Sequence, residues 1–490
     1  MGNKLNKPIK SQHLSRKGDG RMRLGISSMQ GQRPTMEDTH GALLRIPNFP
    51  HLSYKAVFDG HGGTYAAKFM AQNLPTYLSL CKNPTDPKEL ESVIQNMDNL
   101  FKYSKLDEKG NIVVITKEEE EKEENTEPPK IMPSGCTACI IIIDWTRYPL
   151  LWATIINLGD SRCIIFDSSN YQKFTTTDQK PDNDLESKHI NACGGYVDFS
   201  TGCARVDGDL AMSRAIGDFH LKGFKNDKGI IGPVNNVPAI SQLFINQHDR
   251  VFLCCDGLVE IMDNSELIYF INHAILKMSM SNNNNNEADF KKILSKIQHI
   301  SFGHRKPKVV EKILCQSLPH FLTRKPLGFL KIKKSNTNKN SGIDPAAICA
   351  SLNEYSLRLG SMDNMTCMLL LPDVPGQSYG ATQEVFVPGR LRSIGSNKNG
   401  EDVDPDYKHT YVQDAKRHTG LINTSKEKII KCALRLDQMI YDLVDHMEQD
   451  FTDSEDEDES SLFKDGNSDS DDDFFEDFGV PHPFNPLPSK

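Results

Sequence analysis

The chain has 490 residues, with 57 Lys+Arg against 66 Asp+Glu for a net charge of −9, and 38% of its residues are hydrophobic. At roughly 150 residues per domain this allows about three domains, and the composition excludes a collagen-like, coiled-coil or wholly disordered chain. No run of ~18 apolar residues offers a transmembrane helix. The start, MGNKLNKPIK, lacks the apolar segment of a secretory signal. Twelve cysteines in a chain of this length read as reduced thiols of a cytoplasmic protein.

In chain order, a basic leader over residues 1–20 precedes LGISSMQG, which reads as a strand running into a turn. HGALLRIP and YKAVFDG read as two more strands, and TYAAKFMAQNLPTYLSL has helical spacing, as does the stretch from Leu90 to Leu106. An acidic loop at about 107–134 follows, and then SGCTACIIII, LLWATIINLGD and SRCIIFD as apolar strands with short connections. VFLCCDG and MTCMLLL repeat that type, and Ser265–Met278 and Ala346–Leu359 read as helices. Between those helices, an insertion at about 280–343 carries +10, five consecutive Asn and one or two expected basic amphipathic helices. The folded core is expected over residues 21–373, interrupted by that insertion. Residues 374–490 read as a mostly disordered tail with a lone helix at 426–447 and an acidic run at 450–477 carrying −13. With the basic charge confined to one insertion, no nucleic-acid partner is expected. Many short strands broken by paired helices predict an α+β fold with antiparallel sheets.

Five segments end or begin apolar strands with acids: Glu37 and Asp38 in SMQGQRPTMEDTH, Asp59 in VFDGHGG, Asp160 in NLGDSR, Asp256 in FLCCDGL and Asp363 in GSMDNMT. One such aspartate alone is an ordinary turn former. Several at the mouths of buried strands need compensation for desolvation. A shared divalent cation is the simplest, and oxygen donors favour Mg²⁺ or Mn²⁺ over Zn²⁺.

These strings, with SGCTA, DQKPDNDLESKHI, GDLAMSRAIGD and VPAI in order between Arg21 and Leu371, resemble the metal-dependent serine/threonine protein phosphatases of type 2C. The resemblance implies a β-sandwich of two antiparallel sheets flanked by helix pairs, working as a monomer on phosphorylated proteins. It implies two Mg²⁺ or Mn²⁺ ions per chain, Asp59 bridging both, Glu37 and the Gly60 carbonyl on one, Asp256 and Asp363 on the other. Asp38 would orient the attacking water, a hydroxide shared by the two metals. Arg33 would bind the phosphate, and His61 would protonate the leaving serine or threonine oxygen. Asp160 would join a third, weaker metal; there the usual Asp is replaced by Glu260, and Val259 stands where Trp is usual. His220 to Val237 would form a flap beside the cleft, whose Lys222, Lys225 and Lys228 would attract phosphorylated substrates.

Two readings stay open for several features. A catalytically weak scaffold with the same fold is the alternative to the enzyme. Gly2 is positioned for myristoylation, although Asn6 stands where Ser or Thr is usual; with Lys4, Lys7, Lys10, Arg16 and Lys17 it would give peripheral membrane contact, against a plain basic leader. The acidic tail is either a solvated segment or a brake on the insertion or cleft, adjustable at Ser454, Ser468 and Ser470. Cys136 and Cys139 share CxxC spacing, but on a strand they face opposite sides and read as structural thiols.

Overall fold

The segment Ala138–Asp144, ACIIIID, carries no polar residue before its end because both of its faces are covered. Cys139, Ile141 and Ile143 point between two sheets, while Ala138, Ile140 and Ile142 point into a helical layer. Alternation in sequence is therefore absent although alternation in space is complete. Each fully seated isoleucine contributes about 1.5–3 kcal/mol of apolar burial.

The computed structural model describes residues 4–19, 21–106, 112–114, 134–223, 232–280, 343, 345–372 and 383–387. Gly2, most of the acidic loop, residues 281–342, the helix expected at 426–447 and the acidic run with Ser454, Ser468 and Ser470 lie outside them. The main strands are β1 (Ile9–Gly18), β2 (Met22–Gly31), β3 (Thr39–Leu43), β4 (Leu52–Phe58), β5 (Ala138–Asp144), β6 (Leu150–Leu158), β7 (Arg162–Phe166), β8 (Gln172–Thr175), β9 (Ala239–Asn246), β10 (Arg250–Cys254), β11 (Met365–Pro372) and β12 (Gln383–Val387). The helices are α1 (Tyr65–Leu80), α2 (Pro87–Lys102), α3 (Asp184–Ala192), α4 (Asp256–Val259), α5 (Asn264–Met280) and α6 (Pro345–Arg358).

One sheet runs β8-β7-β10-β11-β2-β1-β12 and the other β9-β6-β5-β4-β3, with antiparallel neighbours throughout. Their facing sides form one core that extends over α5 and α6, where Phe270 and Tyr355 pack with ring centroids 5.4 Å apart. The outer face of the smaller sheet packs Tyr54, Ala56 and Phe58 against α1 and α2. Helix α2 starts where Asp86 accepts the Glu89 amide at 2.9 Å and Pro87 takes the first turn. This is the expected α+β sandwich flanked by helices. Among the described residues no helix is long and apolar enough to cross a membrane.

The core starts earlier and ends later than residues 21–373. Strand β1 lies inside the expected leader and pairs with β2, and β12 pairs on its other edge. Composition hid β1 because its seat is small: Leu14 packs on Ala346 and Ala350. Its inward Gln12 is satisfied by donating to the Ala350 carbonyl at 3.2 Å and accepting from the Ser27 hydroxyl at 2.7 Å. A strand anchored by so little apolar surface reads as a basic tail.

A lysine side chain sits between the sheets. Lys55, fully buried, donates to the Ser53 hydroxyl at 2.5 Å and lies 5.9 Å from the Trp145 ring, whose Nε1 donates to the same hydroxyl at 2.8 Å. Desolvation, reinforced by Arg21, pushes its pKa well below the ordinary lysine value. Lys55→Met is therefore expected to raise stability by about 1–3 kcal/mol, seen as a higher urea midpoint; a lower midpoint would mean that the amine is charged and held by Asp19.

Candidate active site

Register brings the acids together. Met29 of β2 pairs Met365 of β11, Cys254 of β10 pairs Cys367, Arg162 of β7 pairs Cys254, Thr39 of β3 pairs Phe58 of β4, and Val57 pairs Cys139 of β5, which also pairs Asn157 of β6. Hence Asp38, Asp59, Asp160, Asp256 and Asp363, each just beyond one of these strand ends, converge at one end of the sandwich.

The electrostatics report the convergence. Desolvation pushes Asp59 well above the usual carboxylate range, and the charges of Asp256, Asp38, Asp363 and Asp160 add to it. Asp256 is raised in the same way by desolvation, Asp160, Asp363 and Glu260. Burial pushes Asp38 up to about 7, with Asp363 adding, although Thr366, Cys255 and Asp59 lie near enough to oppose. Among the described residues neither oxygen of Asp38 has a hydrogen-bond partner, although the residue is only 8% exposed. Asp38, Asp59 and Cys255 offer atoms within 4.8 Å of one another. The Cys255 sulfur receives the Thr366 amide at 3.1 Å, donates to the Asn364 carbonyl at 3.4 Å, and is kept a thiol by burial.

Buried carboxylates with unpartnered oxygens are what a hard divalent cation satisfies, and the donor set fits Mg²⁺ or Mn²⁺. The third-ion donors are met differently. Lys180 stands 3.7 Å from Asp160 and 3.3 Å from Glu260, so an ammonium already bridges that pair.

Several ordinary residues hold the cluster. Thr137 clamps the turn after β4, donating its amide to the Asp59 carbonyl at 2.8 Å and accepting the Asp59 amide on its hydroxyl at 3.1 Å. Asn364 stitches two loops, donating to the carbonyls of Gln30 at 2.8 Å and Thr35 at 3.0 Å and accepting the Glu37 amide at 2.8 Å. Gly257 lets α4 approach: a Cβ there would stand 2.0 Å from the Asn364 carbonyl oxygen. Glu37 thus has its main chain against Gly60, and its carboxylate accepts the Thr35 hydroxyl at 2.8 Å. Arg33, half exposed, donates to Asp363, and Asp256 and Asp59 also favour its charge.

His61 and Asp218 meet over a three-strand ribbon. Gly135 pairs His61 on one side and Gly217 on the other, so the imidazole Nε2 reaches Asp218 Oδ2 at 2.7 Å. A Cβ on Gly135 would fall 2.0 Å from that carboxylate oxygen and 2.4 Å from Nε2, so only glycine admits the pair. The acceptor-only carboxylate fixes Nε2 as the donor, and Nδ1 is buried without a partner among the described residues.

Sequence reading placed Arg33, Glu37, Asp38, Asp59, Gly60, His61, Asp256 and Asp363 in one site, with Asp160 and Glu260 at its edge. It assigned nothing to Asp218, Thr137 or Asn364, whose strings were noted but whose partners lie 78 to 334 residues away. Lys222 is corrected: it is buried and paired with Asp98 at 2.7 Å, so it is no bait for substrate. Lys225 and Lys228 lie outside the described residues.

A family model for protein phosphatase 2C matches residues 22–295, more than half of the chain. The chain belongs to the protein phosphatase 2C family. Protein phosphatase 2C homolog 2 of Schizosaccharomyces pombe is 30% identical over 286 residues, covering 56% of this chain and 68% of that protein. Protein phosphatase 1A of Homo sapiens is 31% identical over 276 residues, covering 55% and 66%. A solved phosphatase from a pathogenic strain of Toxoplasma gondii aligns with TM-score 0.50 and 19% identity over 77% of this chain and 99% of that one, a likeness of fold. As a member of the 2C family, which is metal-dependent, the chain is a hydrolase acting on phosphoproteins.

Proposed function

We propose that the chain hydrolyses phosphoserine and phosphothreonine in proteins with two Mg²⁺ or Mn²⁺ ions, held by Asp59, Asp256, Asp363, Glu37 and the Gly60 carbonyl. The observation that carries this is the crowding of acids at one end of the sandwich, where desolvation and mutual repulsion raise Asp59 and Asp256 and both buried oxygens of Asp38 lack a partner among the described residues. Bound there, such ions would make hydroxide available from water near neutral pH. Asp38, buried and with both oxygens lacking a partner among the described residues, would accept a hydrogen bond from the attacking water. Arg33 at the cleft mouth pairs with the phosphate oxygens. The water oxygen forms a bond to phosphorus as the bond to the serine or threonine oxygen breaks, and His61, held by Asp218, passes that leaving oxygen a proton. A cytoplasmic enzyme, with Gly2 and the basic N-terminal residues giving peripheral membrane contact, completes the reading.

The test is phosphate release from a phosphothreonine peptide in Mn²⁺. A charge-assisted contact is worth about 1.5–3 kcal/mol, so Arg33→Ala should lower kcat/KM on the order of 10- to 100-fold, chiefly through KM. No phosphate release by the wild-type chain would end the proposal, and an unchanged KM in Arg33→Ala would remove Arg33 from the phosphate.

A further inference from the structure

Asp98, on α2, belongs to none of the motifs above, is 2% exposed, and accepts three hydrogen bonds. Its Oδ1 takes the Gly217 amide at 2.7 Å, and its Oδ2 takes Lys222 Nζ at 2.7 Å and Asn236 Nδ2 at 2.8 Å. All three donors come from the segments around Asp218. Lys222 also donates to the Ala215 carbonyl at 2.7 Å, and the Ala215 amide donates to the Asn235 carbonyl at 3.1 Å, closing the arrangement on itself.

What this arrangement holds is conformationally demanding. Asp218 has φ +49°, a left-handed conformation that a non-glycine residue keeps only when its surroundings over-determine it. Its neighbour Gly217 has φ +82° and approaches the Ser134 carbonyl so closely that a Cβ would lie 2.1 Å from its oxygen. The Asp218 amide makes only a long bond of 3.4 Å to that carbonyl. The short bond into this turn is the one from Gly217 to Asp98, and the product of the turn is the 2.7 Å contact of Asp218 with His61.

We propose that Asp98 is a positioning residue for His61: it fixes the Gly217–Asp218 turn so that Asp218 holds the imidazole by Nε2. This rests on the reading of His61 as proton donor. It follows that Asp98 matters in proportion to how badly the leaving group needs a proton. p-Nitrophenolate departs without one, whereas the more basic phenolate of phenyl phosphate gains from receiving it. Both substrates are small, so protein docking does not enter the comparison.

The experiment measures kcat on both substrates in saturating Mn²⁺ for wild type, His61→Gln, Asp98→Asn and the double variant, with folding checked by circular dichroism. Asp98→Asn should lower the ratio of phenyl to p-nitrophenyl phosphate turnover about tenfold, His61→Gln at least as much, and the double variant no further than His61→Gln. Should Asp98→Asn fail to fold, Asn236→Ala, which leaves Asp98 two of its three donors, should lower the ratio about threefold. An equal loss on both substrates, or a loss that multiplies with that of His61→Gln, overturns the role of Asp98. A ratio unchanged in His61→Gln overturns the proton-donor reading itself, and this proposal with it.

Discussion

Replacing Asp59 with Asn is expected to lower turnover by at least about 10³-fold and at the same time to make the metal-free protein harder to unfold. The two effects have one origin. Desolvation and four neighbouring acids oppose the charge of Asp59, so the free protein spends stability on keeping that oxygen set together. Asn has the same shape, fits the turn clamped by Thr137, and removes one member of the repelling group. The gain shows as a higher urea midpoint in EDTA, because the substitution relieves the burial and repulsion that raise Asp59. The same substitution takes away the anionic oxygens proposed to bridge both cations, and the protection that Mn²⁺ gives to wild type against urea should then be largely lost. Turnover and urea midpoints, each with EDTA and with Mn²⁺, check both halves. A variant that keeps more than about a tenth of wild-type turnover refutes the bridging role of Asp59, and one less stable in EDTA refutes the repulsion.

What the sequence made legible is what has a local signature. The acids of the site sit within a residue or two of apolar runs, and antiparallel register then carries Asp59, Asp256 and Asp363 to one end with no further choice. The doubly buried run CIIII announced a central strand. Strand β1 announced nothing, because one Leu14 and a hydrogen-bonded Gln12 seat it among basic residues. Asp98, Asp218 and Asn364 are invisible for another reason. Each is an ordinary polar residue whose meaning lies in a partner contributed by a distant segment, as when Asp98 on α2 accepts from Gly217, 119 residues away. Lys222 shows the converse error: counted as a mobile surface charge, it is the buried partner of that same aspartate. Residue type and local spacing locate strands and the acids at their ends; they do not show which polar residue is spent on holding another in place.

The protection that Mn²⁺ gives against urea should grow as pH rises, by roughly 3 kcal/mol between pH 5.5 and 7.5 if binding displaces one proton over that range. The sign follows from the raised carboxylates. Asp160 is pushed up to about 6 by burial, with Asp178 and Glu260 adding and Lys180 opposing, and Asp38 to about 7; Asp59 and Asp256 are raised too. From about pH 4, where unfolded carboxylates ionise, up to these values the folded metal-free chain binds more protons than the unfolded one. Its stability therefore falls as pH rises through the window. A cation that satisfies the ionised oxygens must first displace those protons, so its benefit is smallest in acid and reaches its full size once the groups would titrate unaided. Other buried bases push the metal-free curve the opposite way. Burial, with Lys17 and His13 adding, lowers His40 to about 4, and Lys55 is lowered as well, so both contribute stability that rises with pH. They act alike with and without metal, which is why the difference between the Mn²⁺ and EDTA midpoints, rather than either curve, isolates the cluster. In the Asp59→Asn protein that difference should be small and flat. A wild-type difference that stays constant or shrinks from pH 5.5 to 7.5 would mean that the acids at the strand ends are already ionised and satisfied in the free protein, and that metal binds elsewhere.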